Sequence, residues 1–285
     1  MVRRVSIMLL VILYACTDDK IDLSHTVTVD CVLPQPVADI PDDLYQVGEI
    51  IQSAEYPPFT KQLSVYGITL IARDDISDVF MQNVASTITE MFPRSGTIDT
   101  ILQKQVLRNI HQYNTVIPLF YGEDWGLSPA EEDLWDQTAS ENSTCDIIME
   151  NVPNQVMEVV EHILHHVTDV GLHYTFPEEW GLSNSSTLYN VTQEAVDENY
   201  YDIQQYSDID DVGVRMRVIL QEYAYWIIYT AWDLREIYGP QDSEWFIMNS
   251  SELKEKLPDS YELFNKTVMK IMACPSDSIL SIFNN

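Results

Sequence analysis

The stretch QLSVYGITLIARDDISDVFMQNVASTITEMF, Gln62–Phe92, changes its period in the middle. Its first part, Gln62–Ala72, is apolar and rich in β-branched residues, which predicts a strand. Ser77 then stands where a helix N-cap belongs, and from there to Phe92 the apolar residues recur at helical spacing. Beyond it, TIDTILQKQVLRNIHQY, Thr97–Tyr113, reads as a second amphipathic helix. NTVIPLFY, Asn114–Tyr121, reads as a short strand. Strand, helix, helix, strand predicts an α+β fold with a small sheet near its N-terminal end.

Helices dominate the rest of the chain. SPAEEDLWDQTA opens with Ser128 as N-cap, Pro129 at the first helical position and Glu131 closing a capping box. Asn154–Asp169 reads as a helix that Gly171 is placed to end. SSTLYNVTQEAVDENYY predicts another, Val214–Tyr238 a long apolar one, and Ser251–Cys274 one or two more interrupted at Pro258. A short echo, EDWGLS at Glu123–Ser128 and EEWGLS at Glu178–Ser183, reads as a repeated loop-and-cap device with Trp125 and Trp180 packing on the core. Six residues are too few to mark a duplicated domain. The expected organisation is a helix-rich α+β domain over 46–285, preceded by an extended leader over 17–45 with three prolines and no steady period.

Residues 1–16 read as a signal peptide: Arg3 and Arg4 precede the apolar run Val5–Ala15, which is short for a membrane span. The alternative at this end is a bacterial lipoprotein anchored at Cys16, in LYAC. Five acceptor sequons, at Asn142, Asn184, Asn190, Asn249 and Asn265, favour a secreted glycoprotein. The four cysteines form no C-x-x-C pair, which argues against a thiolate zinc site. In an oxidising compartment one long-range disulfide is expected, with Cys145–Cys274 a reasonable pairing.

The formal charge is -30, and losing the signal removes Arg3 and Arg4 and no acid, leaving the chain near -32. Such a field repels nucleic acid and suits extracellular cations, basic peptides or mineral surfaces. The 46% hydrophobic content, with 16 Tyr and 6 Trp, belongs to a packed core and not to a disordered acidic tail. No P-loop, dinucleotide fingerprint, G-x-S-x-G or second apolar run of membrane-spanning length occurs.

Chemistry concentrates in VMEVVEHILHHVTDVGLHY, Val156–Tyr174, which holds four of the six histidines. At about 100° per residue, Glu158, Glu161, His162, His165 and Asp169 fall within about 100° of arc, with His166 on the border. Valine, isoleucine, leucine and methionine fill the opposite face. The polar face carries no Lys or Arg. It is either a solvated surface or a set of metal ligands: Glu161 with His165, or His162 with His166, are four apart and can chelate one cation. A catalytic zinc needs a third protein ligand. Glu222, set among Val218, Ile219, Tyr225, Trp226 and Tyr229 on its own helix, is the candidate, because a carboxylate on an aromatic face needs a partner.

EHILHH resembles the H-E-x-x-H helix of the gluzincin metallopeptidases, whose third zinc ligand is a downstream Glu. His162 and His166 have the spacing, but Ile163 stands at the general-base position; with Glu161 and His165 as ligands, His162 takes that position. The chain is also similar to uncharacterised exported proteins of marine invertebrates and bacteria with the pattern E-x-x-L-H-x-V-T-x-x-G followed by E-Y-x-Y-W. Glu161, Leu164, His165, Val167, Thr168 and Gly171 match the first part, and Glu222, Tyr223, Tyr225 and Trp226 the second. This resemblance implies that Glu161, His165 and Glu222 form the set, with His162 close by, and it implies no reaction; in a zinc hydrolase these three would hold the metal and His162 would be fourth ligand or proton acceptor. Two functions are therefore expected in competition. One is an extracellular zinc hydrolase, peptidase-like. The other is a non-enzymatic acidic matrix glycoprotein that binds Ca2+ weakly, for instance along EAVDENYYDIQQYSDIDD, Glu194–Asp211, which lacks EF-hand spacing.

Overall fold

In the computed structural model, which describes residues 26–94, 96–240 and 243–284, the run Gln62–Ala72 is a hairpin and not one strand. Strands β2 (Lys61–Val65) and β3 (Ile68–Ala72) pair antiparallel with Leu63 opposite Leu70. The turn between them places Tyr66 at φ 52° and Gly67 at φ 87°. Two consecutive positive φ values match the twist of a tight hairpin. A Cβ at Gly67 would also come within 2.9 Å of the His111 Cβ. The two-residue β1 (Ile51–Gln52) flanks β2 on the outer edge.

The predicted helices follow as α1 (Asp78–Met91) and α2 (Thr100–Gln112), and they carry the chain across to β4 (Val116–Tyr121), parallel to β3. Ser77 caps α1 by accepting from the Phe80 amide, and Asp99 caps α2. Helix α3 (Pro129–Glu141) starts with the full Ser128–Glu131 capping box and leads to β5 (Ile148–Glu150), parallel to β4. The sheet order is therefore β1-β2-β3-β4-β5. One face of the sheet, through Leu70, Ile117, Leu119 and Ile148, enters the main core with α1, α2 and the later helices. The other buries Ile71, Val116 and Phe120 against Tyr56, Phe59 and Trp135.

The histidine helix α4 (Gln155–His166) does not end at Gly171. It continues through a π-helical segment, Val167–Leu172, into the short α5 (His173–Thr175). Gly171 is needed for contact: a Cβ there would lie 2.8 Å from Val106 Cγ1 and 3.0 Å from Ile110 Cγ1 of α2. The helical half then comprises α6 (Thr187–Asp197), α7 (Val212–Ala231), α8 (Leu234–Tyr238), α9 (Ser250–Lys256), α10 (Pro258–Lys266) and α11 (Val268–Ile271). The run expected as one helix to Tyr238 breaks between α7 and α8, where Asp233 adopts φ 61° and accepts from the Ser250 amide at 2.7 Å. The architecture is α+β, with the sheet in the N-terminal half, as the order of elements predicted.

Residues 26–45 are extended and fastened to the domain. The Thr28 amide donates to the Gly213 carbonyl, the Leu33 amide to Ser143 Oγ, and Asp30 pairs with Arg217 at 3.0 Å. A disulfide joins Cys31 to Cys145. The expected Cys145–Cys274 pairing is thereby corrected, and Cys274 is a free, half-buried thiol. The two echo tryptophans have different fates. Trp180 is buried and donates to Thr267 Oγ1, whereas Trp125 is 39% exposed and stacks on Phe120. Ser128 caps its helix, but in the second copy the cap is Ser186 and not Ser183. Among the described residues no helix is long and apolar enough to cross a membrane. The signal segment and Cys16 lie outside them.

Candidate metal centre

Helix α4 lies against both the sheet and α7. Val159, Ile163 and Leu164 enter the main core, and the polar side meets α7 and the loop before β5. That side is not a solvated surface. His165, His166 and Asp169 are fully buried and Glu158 nearly so.

One ligand atom each from Glu161, His165 and Glu222 lie within 4.8 Å of one another. The sequence-predicted set is thus brought together from two helices. His165 organises it. Its Nδ1 lies 2.8 Å from Asp146 Oδ2, so Nδ1–H donates to the carboxylate and Nε2 is the ring nitrogen turned to the centre, free to bind a metal once it gives up its own proton. His165 Nε2 is buried without a hydrogen-bond partner and stands 3.6 Å from Glu222 Oε2. That is too long for a hydrogen bond. Two ligands each about 2 Å from a tetrahedral zinc sit about 3.3 Å apart, so the spacing suits a shared cation.

The charges agree with that arrangement. Burial, and after it the Glu222 carboxylate, raise the Glu161 pKa to about 8. Burial also opposes a charge on His165, yet Glu222 and Asp146 outweigh it and push its pKa well up. Burial works against the Asp146 carboxylate, but the neighbouring His162 and the bond from His165 hold its pKa well below the usual range. Among the described residues no Lys or Arg forms an ion pair with Glu161 or Glu222. Without a metal, the protonated His165 ring is the cation that faces these carboxylates; a divalent ion that displaced its proton could take the same two carboxylates and the imidazole nitrogen as donors.

His162 stands beside this trio. Its Nδ1 is 3.1 Å from Glu158 Oε1, off the line of a hydrogen bond, and its Nε2 is 3.8 Å from Asp146 Oδ2. Burial opposes its charge, and Asp146 and Glu158 raise its pKa to about 9. The alternative chelate, His162 with His166, does not form. His166 Nδ1 donates to the His162 carbonyl at 2.7 Å and its Nε2 accepts from the Cys145 amide at 3.2 Å. Burial lowers its pKa to about 4, so it is a neutral structural side chain. His173 likewise accepts from the Leu182 amide. Asp169, on the predicted polar arc, is turned behind the centre, 3.9 Å from Cys31 Sγ, where burial raises its pKa to about 7. The convergence of Asp169 with Cys31 and Cys145 offers no thiolate, because both sulfurs are in the disulfide.

Asp146 was not visible in the sequence: it lies in a loop, one residue past Cys145, with no periodicity to mark it. It is braced from α7 by Gln221, whose Nε2 is 3.4 Å from Asp146 Oδ2. Arg217 donates to Gln221 Oε1 and pairs with Asp30 of the extended arm. The disulfide and this relay tie the arm to the loop that orients His165.

The acidic segment Glu194–Asp211 contributes to none of the converging groups among the described residues. Asp202 and Asp211 there accept from backbone amides, Asp211 as the N-cap of α7. Of the sequon asparagines, Asn184, Asn190 and Asn265 are exposed, and Asn249 caps α9. Asn142 is buried and donates to the Thr138 carbonyl, so in the folded chain it is closed to modification. Comparisons with protein-family models, with curated proteins and with solved structures give no match to this chain.

Proposed function

We propose that the protein is a secreted zinc-dependent hydrolase acting on amide or ester bonds, with the metal held by Glu161, His165 and Glu222. The observation that carries this reading is the buried, unpartnered Nε2 of His165, aimed at two carboxylates while Nδ1 is tied to Asp146. A carboxylate behind a ligating imidazole fixes its tautomer and strengthens its basicity. Glu161, His165 and Glu222 would hold the metal with one position left for water or substrate, and the metal would supply Lewis-acid activation there. Glu161 and Glu222 are only partly buried, which leaves that position an approach from solvent. His162, next to Glu161 and clamped by Glu158 and Asp146, is the residue assigned to proton transfer. The Cys31–Cys145 disulfide fits export into an oxidising compartment.

The test is elemental analysis of the whole chain, purified without chelators. About one zinc per chain is expected, and less than about 0.2 would end the proposal. Cleavage of a mixed peptide and ester panel should then disappear with a chelator and return with zinc. Zinc binding without any chelator-sensitive cleavage would reduce the protein to a metal binder.

A further inference from the structure

Most tyrosines buried in the helical half have found partners. Tyr223 shares a hydrogen with Ser260 Oγ at 2.7 Å, and the Tyr201 hydroxyl reaches the Ile219 carbonyl and Tyr206 at 3.3 Å. Tyr225 and Tyr229 are the exceptions. Both are at 0% exposure and neither hydroxyl has a hydrogen-bond partner. Unpaired buried hydroxyls are costly, and their position usually has a reason.

The position here is the metal centre. Glu222, Tyr225 and Tyr229 recur at steps of three and four, so they share one face of α7. Tyr225 packs edge-on against His165 with ring centroids 5.8 Å apart, and its ring is 5.1 Å from that of Tyr229. Both phenols therefore present O–H groups on the face of α7 that carries Glu222, with no acceptor of their own. A divalent ion balanced by Glu161 and Glu222 has no net charge left. A further negative ligand in its open position would meet no repulsion from the ligand set, and two unused O–H donors stand on the helix face that carries Glu222.

We infer that the site takes an anionic oxygen ligand of the carboxylate class beside the metal, bound by the hydroxyls of Tyr225 and Tyr229. For a hydrolase this names the substrate feature: a carboxylate, or the oxyanion that forms at an attacked carbonyl. The inference rests on the proposed metal site.

Cobalt(II) in place of zinc, with acetate as probe, separates the two. The cobalt protein should show visible absorption that shifts as acetate is added. Tyr225→Phe and Tyr229→Phe should hold cobalt as tightly as the wild type and bind acetate about tenfold more weakly each, the usual worth of a hydrogen bond to a charged group. Neutral imidazole, which needs no donor, should bind all three proteins alike. The metal-free variants should melt no lower than the wild type, because the removed hydroxyls had no partner. A cobalt spectrum that ignores acetate, or equal acetate affinity in all three proteins, overturns this inference and leaves the metal site standing. Failure of the wild type to take up cobalt brings down both.

Discussion

On one flank of α4, Val159, Ile163 and Leu164 pack at zero exposure into an apolar core. On the other, Glu161 and His165 meet Glu222, Tyr225 and Asp146, and the buried His165 Nε2 and Tyr225 hydroxyl there lack hydrogen-bond partners. The same twelve-residue helix thus has one side built for packing and one side that packing alone would not select. A core gains nothing from two nearby carboxylates and an unpartnered imidazole nitrogen. The contrast teaches that apolar packing accounts for one flank and not for the other, which supports the proposed metal site.

The largest effect should separate the flanks outright. His165→Ala or Glu222→Gln should reduce zinc affinity by more than about a hundredfold, beyond the loss expected from a supporting residue. Chelator competition measures this. In the metal-free protein Glu222→Gln removes the carboxylate that favours the charged His165 ring, so the His165 pKa should fall, which NMR titration of the imidazole checks; an unchanged titration would show that Glu222 does not face His165.

On the dry side, Ile163→Ala should cost about 2–5 kcal/mol of stability through the cavity it leaves, with zinc stoichiometry retained. Denaturant unfolding reads the first and elemental analysis the second. Loss of metal at full stability would erase the distinction between the flanks.

Asp146→Asn tests the brace behind His165. Affinity for zinc should fall by about 10–100-fold, with the fold intact. No change would mean that the His165 tautomer is set by something else.

The smallest effect sharpens the picture of the metal-free centre. Glu161, with its pKa raised to about 8, keeps a proton in the folded chain that the unfolded chain releases at its ordinary value near 4.5. His162, raised to about 9, does the same above 6.5. His166 and His173, lowered to about 4, act in the opposite sense but only below 6.5. Between pH 6.5 and 8 the metal-free protein should therefore lose stability as pH rises, and zinc should flatten the slope. A melting temperature that holds or climbs over that range would contradict the assigned charges.

Much of the fold was legible because its signals are local. The N-caps Ser77 and Ser128 and the box closed by Glu131 sit within one turn of what they stabilise, and each forms as expected. Glycines were less legible, because their meaning depends on what lies opposite. Gly67 turns a hairpin where an unbroken strand was expected, and Gly171 admits α2 where a helix end was expected. The site was half legible. Glu161 and His165 are four apart on one helix, and Glu222 is conspicuous as an acid among aromatic residues. Asp146 and the partner of Cys145 had no such mark.

The chain by itself determined where most helices begin, which face of α4 is apolar, and that an unusual density of imidazole and carboxylate lies on the other. Only the tertiary structure decided that this face is buried, that His165 and not His166 keeps a free ring nitrogen, and that Cys31 reaches Cys145. The physical reason is range. Helical periodicity and caps act over a few residues, whereas a ligand set depends on distances between α4, α7 and a loop that are far apart in sequence and set by how the apolar core closes.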